Sequence, residues 1–522
     1  MKRLFLTLIL LAGVSTLRAE LAVWGHPYLK PMVRQEPAPA EPGRILRLRV
    51  TPGEYEPAAF AVRSDNSVSV SVSLVQPKGP EALPPDWCEL HVVLSLSDST
   101  QPNRLHQFTG PVALKVDETR FFWLTVRPPA DAVPGIYKSR ISVESDSENH
   151  HLEIVCEVLP FTLDRSPIIG GVFMASTDLP PGWYADMKEH GLDAIQFFWG
   201  GTGIKVLRSG DEILLDFSRM DKFMAEVNAG GLDGPVIISL GNDHSLHYER
   251  RIAEAFDIPV ETGESIGRKR VIGPAVSPRL DSLFVEGLRQ IRAHWEARAY
   301  PQELVVLIYD EPTERLLTRC KHRYDLLKTV MPWTRVYGVV MNRRVWAESM
   351  NDQCDIIVSD GDFLGCLEAA RNYHKDYWVY SFPLRHVHTT RYDMGCMPWR
   401  VHAQGTFFWM YNYWGFNPDG CAVYRHPDNP DELVRSTPWE GVREGMDDLR
   451  YIATAERLVQ YAPAEKKEEA RVRLQAVFNS IDPTRREKTA LGEAHDELSV
   501  LKHYNESQRV RDDVIEIILS LL

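Results

Sequence analysis

At 522 residues, with 44% hydrophobic and 25% charged content, the chain is too long for one core and too apolar for disorder. Its net charge of −13, with no basic stripe, argues against binding nucleic acid or other polyanions through charge. Seven scattered cysteines show neither metal-ligand spacing nor a redox pair, and no cofactor motif is present.

Residues 1–19 read as an export signal. Lys2 and Arg3 precede an apolar run from Leu4 to Val14, and Ala19 closes a small-residue cleavage site. The run is too short to span a bilayer, and position 14 is Val where a lipoprotein needs Cys. The expectation is a secreted or periplasmic protein with no membrane span.

Residues 20–165 contain no helical pattern. Short alternating runs recur at Ile45–Val50, Ala58–Val62, Val68–Val75, Leu90–Leu96, Phe121–Val126, Lys138–Val143 and Leu152–Val158, separated by turn residues. Such spacing predicts an antiparallel β-sandwich. Cys88 and Cys156 both fall here, and an oxidising compartment allows a bridge between them.

From 166 to 436 the pattern changes. Strand-like runs at 168–175, 193–198, 235–240, 304–309, 334–341, 355–359, 377–382 and 405–411 alternate with helical stretches such as Leu280–Arg298 and Arg315–Thr329. Eight β-runs with helical crossovers predict a (β/α)8 TIM-type barrel. An open doubly wound sheet is the alternative, but no Gly-rich phosphate turn follows the first strand. Residues 437–522 read as C-terminal helices packed on the barrel, with their charge runs as solvated faces.

The chemistry gathers at the fourth run, Leu304 to Tyr309, which ends in Asp310, Glu311 and Pro312. A strand buried on both faces delivers these carboxylates to the mouth of a barrel, where such enzymes keep their sites. In an ideal strand, neighbouring side chains point to opposite faces, so the pair converges only if the strand stops there. Pro312 cannot donate to a ladder and favours that stop. Two carboxylates this close repel when both are ionised, which raises one pKa and suits acid catalysis of glycosidic cleavage. The plainer alternative is that Asp310 caps the next helix and Glu311 makes a surface ion pair. Aromatics at later strand ends, Tyr380, Trp409, Tyr411 and Trp414, with Trp199 and Asn242 at earlier ones, are candidate sugar contacts. Asp243, His244, Asn342, Asp360 and Asp362 occupy similar positions.

Several stretches resemble glycoside hydrolase family 123 and its relatives. They are Thr51-Pro52-Gly53-Glu54-Tyr55-Glu56-Pro57, Phe122-Trp123-Leu124-Thr125-Val126, Pro134-Gly135-Ile136-Tyr137, Tyr309-Asp310-Glu311-Pro312, Trp378-Val379-Tyr380, Gly405-Thr406-Phe407-Phe408-Trp409 and the run from Arg443 to Tyr451. The resemblance implies a β-sandwich followed by a catalytic barrel that cleaves β-linked N-acetylgalactosamine with retention. By the same resemblance Glu311 is the general acid and then base, while Asp310 holds the substrate's 2-acetamido group. The carbonyl oxygen of that group attacks the anomeric carbon, so two adjacent carboxylates serve from one side. Family 20 hexosaminidases are similar at this point. Residues 381–400 match none of the family's loops, so the sugar is less defined than the mechanism.

Other readings stay open. A distant nucleophile, Asp360 or Asp362, makes this a two-carboxylate glycosidase. A barrel without catalysis makes it a glycan-binding protein. Gly263-Glu264-Ser265-Ile266-Gly267 matches the hydrolase nucleophile pattern by letters, but its surroundings predict a mobile loop. His386 and His388 lack a third metal ligand, and the sequon at Asn505 lies in a helical context.

Overall fold

The computed structural model describes residues 21–84, 86–95, 103–177, 179–180, 182–241, 246–265, 268–340, 343–381, 386–412, 421–426, 429, 432–484 and 505–522. Residues 1–20, where the export signal is read, lie outside them. Among the described residues, no helix is long and apolar enough to cross a membrane.

Two sheets face each other in the N-terminal part. One runs Leu21–His26, Glu56–Ser64, Thr119–Val126, Cys88–Leu94, Arg104–His106, Leu433–Ser436, Val423–Arg425; the other runs Ile45–Val50, Asn149–Val158, Gly135–Glu144, Val68–Leu74, Val112–Leu114. Phe60, Phe122, Trp87 and Tyr137 fill the space between them. Ile45–Val50 alternates as a half-buried strand should, whereas Glu56–Ser64 is buried along almost its whole length. The second strand has two apolar faces because Ala59, Ala61, Phe121 and Trp123 pack outward against a second cluster containing Val387. Two details differ from the expectation of a purely antiparallel sandwich. Asn149–Val158 pairs with Ile45–Val50 in parallel. Moreover Val423–Arg425 and Leu433–Ser436, which the sequence pattern groups with the barrel, extend the first sheet through Arg104–His106. No disulfide joins any of the seven cysteines, Cys88 and Cys156 included.

The barrel is closed, not open. Its strands one to eight are Ile169–Met174, Ala194–Phe198, Val236–Ser239, Leu304–Leu307, Arg335–Val340, Ile356–Ser359, Asp376–Ser381 and Gly405–Phe408. Strands one and eight pair in parallel and shut the ring. Large and small residues share the lumen. A Cβ at Gly171 would sit 2.2 Å from Phe407, and one at Gly405 would sit 2.6 Å from Trp378. Glycine at both positions leaves Trp378 and Phe407 free to stack at 5.4 Å. Two antiparallel hairpins decorate the barrel, Lys205–Ser209 with Glu212–Asp216 and Val260–Ser265 with Arg268–Pro274. Ser265 therefore ends a hairpin strand where a loop is expected. The next described element is its partner strand Arg268–Pro274 rather than the helix a nucleophile elbow requires.

Among the described residues, three helices close the chain, Thr437–Tyr461, Ala464–Ser480 and Glu506–Leu521. Ser436 caps the first, its Oγ accepting from Trp439 N at 3.3 Å, with Pro438 in the opening turn. Here the charge run is not a solvated face. Glu440, Arg443, Glu444, Asp447 and Asp448 are all buried. Asp448 accepts two 2.8 Å bonds from Arg391 and one from Arg511 at 2.5 Å. Arg511 also donates to Glu56 and Glu444, at 2.8 and 2.9 Å. Tyr451 donates to Glu54 at 2.6 Å. These groups come from the sandwich, the barrel and both terminal helices, so the network clamps the seam where they meet. Charges pair with charges there because water is excluded.

Candidate active site

Strand four delivers the carboxylates, and its packing shows how two neighbours come to share a face. Val305 and Leu307 point into the lumen, while Leu304, Val306 and Ile308 face the helices. Strict alternation would send Tyr309 inward. Instead Tyr309 packs outward and its hydroxyl donates to the buried Glu249. Arg323 anchors that carboxylate with bonds of 3.0 and 2.9 Å, and Arg319 adds another. Burial raises the Glu249 pKa, but the two guanidiniums outweigh it and hold the group below the ordinary carboxylate range. With Tyr309 turned out, parity resets. Asp310 rejoins the sheet through its N–H, which donates to Gly241 O at 2.9 Å. Glu311 then takes a left-handed φ of 46°, ahead of the buried Pro312. The strained turn brings the second carboxylate to the same side as the first.

Both side chains line one open cavity of about 120 Å³ at the strands' C-terminal ends. Phe173, Phe407, Phe408 and Trp409 supply its apolar walls. Its polar groups are the two acids with Gln196, Tyr337 and Tyr380. Tyr380 donates to Glu311 Oε1 at 2.8 Å. Burial, then the neighbouring Glu311 and Asp360, push Asp310 up to about 8. Burial also raises the Tyr380 hydroxyl, reinforced by Asp360, Glu311 and Asp310, so it remains a donor. The cap position of the next helix is Thr313 rather than Asp310.

The other sequence candidates divide. Tyr380 and Trp409 stand in the cavity wall with the acids. Tyr411 does not. It is fully buried behind strand eight, its hydroxyl donating to Asp186 at 3.2 Å and its ring packed on Trp439. Asn242 and Trp414 lie outside the described residues, as do Asp243, His244 and Asn342; for Trp199 only the backbone is described, opening a short helix. Asp360 is buried after strand six and close enough to act on Asp310 and Tyr380. Asp362 instead takes the residue before helix Phe363–Asn372 and accepts from Arg344 N at 2.7 Å, a structural role. His386 and His388 stack at 5.5 Å, and no metal-type cluster occurs among the described residues. Phe173, Gln196 and Tyr337 were not singled out beforehand. Gln196 had a visible signal, as the one polar residue in Ala-Ile-Gln-Phe-Phe.

In sequence, the chain matches no family model and no curated protein. In structure it is similar to a family 123 glycoside hydrolase from Clostridium perfringens, studied for glycolipid glycan hydrolysis. The TM-score is 0.74 at 12% identity, covering 96% of this chain and all of that one. A bacterial Ig-like-domain family 10 xylanase from termite gut overlays at TM-score 0.39 and 10% identity, covering 77% of this chain and 99% of the other. An endo-β-1,4-mannanase from Thermotoga petrophila reaches 0.35 at 11% identity, over 55% and 77% of the two chains. Over nearly its whole length, this chain has the fold of a family 123 glycoside hydrolase.

Proposed function

We propose that the protein is a retaining glycoside hydrolase that cleaves β-linked N-acetylhexosamine with help from the substrate's own acetamido group. The carrying observation is that Asp310 and Glu311, adjacent in the chain, line one cavity from one side. Ordinary retaining and inverting pairs flank the sugar and stand well apart. Among the described residues, no third carboxylate lines this cavity, so the substrate is left to supply the nucleophile.

The proton accounting supports this. With Asp310 raised to about 8, the empty pair keeps one proton at neutral pH. An acetamido N–H donated to Asp310 favours its charged form and leaves the proton on Glu311. Glu311 then protonates the glycosidic oxygen as the carbonyl oxygen attacks C1, and the leaving alcohol departs. Water, deprotonated by Glu311, opens the cyclic intermediate at C1 and restores the acetamide with net retention. Tyr380 holds one Glu311 oxygen and leaves the other for the proton. N-acetylgalactosamine is the proposed sugar, as the sequence's resemblance to family 123 implies.

One observation favours a second reading. Asp360 is buried within electrostatic reach of Asp310 and could serve as a protein nucleophile. Rates on an aryl β-N-acetylgalactosaminide and the matching aryl β-galactoside separate the two. Substrate assistance predicts cleavage of the first and at least about a 10³-fold lower kcat/KM on the second. Comparable rates favour Asp360. Binding without turnover of either contradicts the hydrolase reading.

A further inference from the structure

Gln196 occupies an inward position of barrel strand two, between Ala194, which faces the lumen, and Phe198; Ile195 and Phe197 point to the helices. It is 6% exposed and lines the cavity that holds the two acids. Its side-chain amide makes no hydrogen bond to any described residue. Buried polar groups in folded proteins are nearly always satisfied, because leaving one without a partner is costly. The Gln196 amide is open to the cavity rather than sealed among its neighbours. The amide therefore serves whatever fills the cavity.

The cavity's other polar groups already have work in the reaction. Glu311 and Tyr380 are hydrogen-bonded to each other, and Tyr337 lines the cavity with Asp310. In the mechanism proposed above, those groups, from the end of strand four and from strands five and seven, attend C1 and the 2-acetamido substituent. With C1 and C2 attended by those groups, Gln196 on strand two is left to the ring's other hydroxyls. Among the described residues, it is the one amide lining the cavity, donating and accepting through separate atoms. A sugar hydroxyl also donates and accepts, and epimers differ only in the direction of one such hydroxyl. Apolar walls read that direction weakly, whereas a site built to hydrogen-bond a hydroxyl rejects a ligand that leaves its polar group unpaired.

We infer that Gln196 is the residue that reads the C4 hydroxyl of the hexosamine and so decides which epimer the site accepts. This rests on the cavity being the sugar site proposed above. The tests are kcat/KM on aryl β-N-acetylgalactosaminide and β-N-acetylglucosaminide, and calorimetric binding of the two free sugars, N-acetylgalactosamine and N-acetylglucosamine. Both use wild type, Gln196→Leu and Gln196→Glu. Gln196→Leu is expected to fold with an unchanged or raised Tm and to lose about 10²-fold on the preferred epimer. It should change less than about threefold on the other, so discrimination collapses. Gln196→Glu, which keeps acceptors and loses the donor, should fall between and serves if the leucine variant does not fold. Turnover with the epimer ratio kept within about threefold in both variants overturns the role of Gln196 and leaves the hydrolase reading intact. Epimer-selective binding that Gln196→Leu abolishes, without turnover, supports Gln196 and contradicts the hydrolase reading. Binding of neither sugar by wild type overturns both.

Discussion

Glu311→Gln is expected to lower kcat/KM by about 10³-fold on an aryl β-N-acetylgalactosaminide with a poor leaving group. On a dinitrophenyl glycoside the same variant should lose less than about tenfold, because a good leaving group departs without a proton. Its kcat should still fall, since Glu311 also activates the water of the second step. The amide keeps an acceptor for Tyr380, so geometry survives and only the proton is removed. The pH profile follows from the same pair. Burial and Glu311 raise Asp310 to about 8, so the free enzyme holds its shared proton below that value and loses it above. Wild-type kcat/KM should therefore fall about tenfold per unit at high pH, with its alkaline limb near pH 8. Equal losses on good and poor leaving groups would remove Glu311 from the acid role.

The second large effect is on stability. Arg511→Leu leaves Asp448, Glu56 and Glu444 buried around a missing cation. Removing one member of such a network costs about 3–5 kcal/mol, read as a lower denaturation midpoint. Adding Glu56→Gln and Glu444→Gln to that variant should recover part of the loss, since burial and neighbouring carboxylates already raise both carboxyls. A midpoint unchanged in Arg511→Leu would mean that the seam is held by apolar packing alone. Kinetics below the transition should stay near wild type, because none of these residues lines the cavity.

The barrel was legible because its strands are buried on both faces and read as apolar runs. Leu304–Leu307 and Ile356–Ser359 have no exposed residue to break the pattern. The acid pair was legible from residue type and position. Its convergence was not, since it depends on Tyr309 turning outward to Glu249, sixty positions earlier in the chain. The clamp was unreadable for a related reason. Arg443 to Arg450 looks like a solvated face until Glu56 and Arg511 arrive from distant segments to cover it. Part of the family-like sequence, Glu54, Glu56, Glu444 and Asp448, thus holds the domains together rather than touching the cavity. Tyr411 misled because an aromatic after a strand serves the seam behind the barrel as well as the site. The two hairpins went unseen because short, charged strands such as Lys205–Ser209 carry little apolar signal.

The central claim is that the attacking atom belongs to the substrate. The most direct measurement replaces the acetyl hydrogens of an aryl β-N-acetylgalactosaminide by one, two and three fluorines, leaving leaving group and ring unchanged. Each fluorine weakens the carbonyl oxygen as a nucleophile. Substrate assistance predicts that log kcat/KM falls steeply and in step across the series. A flat series, with the trifluoroacetamide cleaved as fast as the acetamide, would contradict the account.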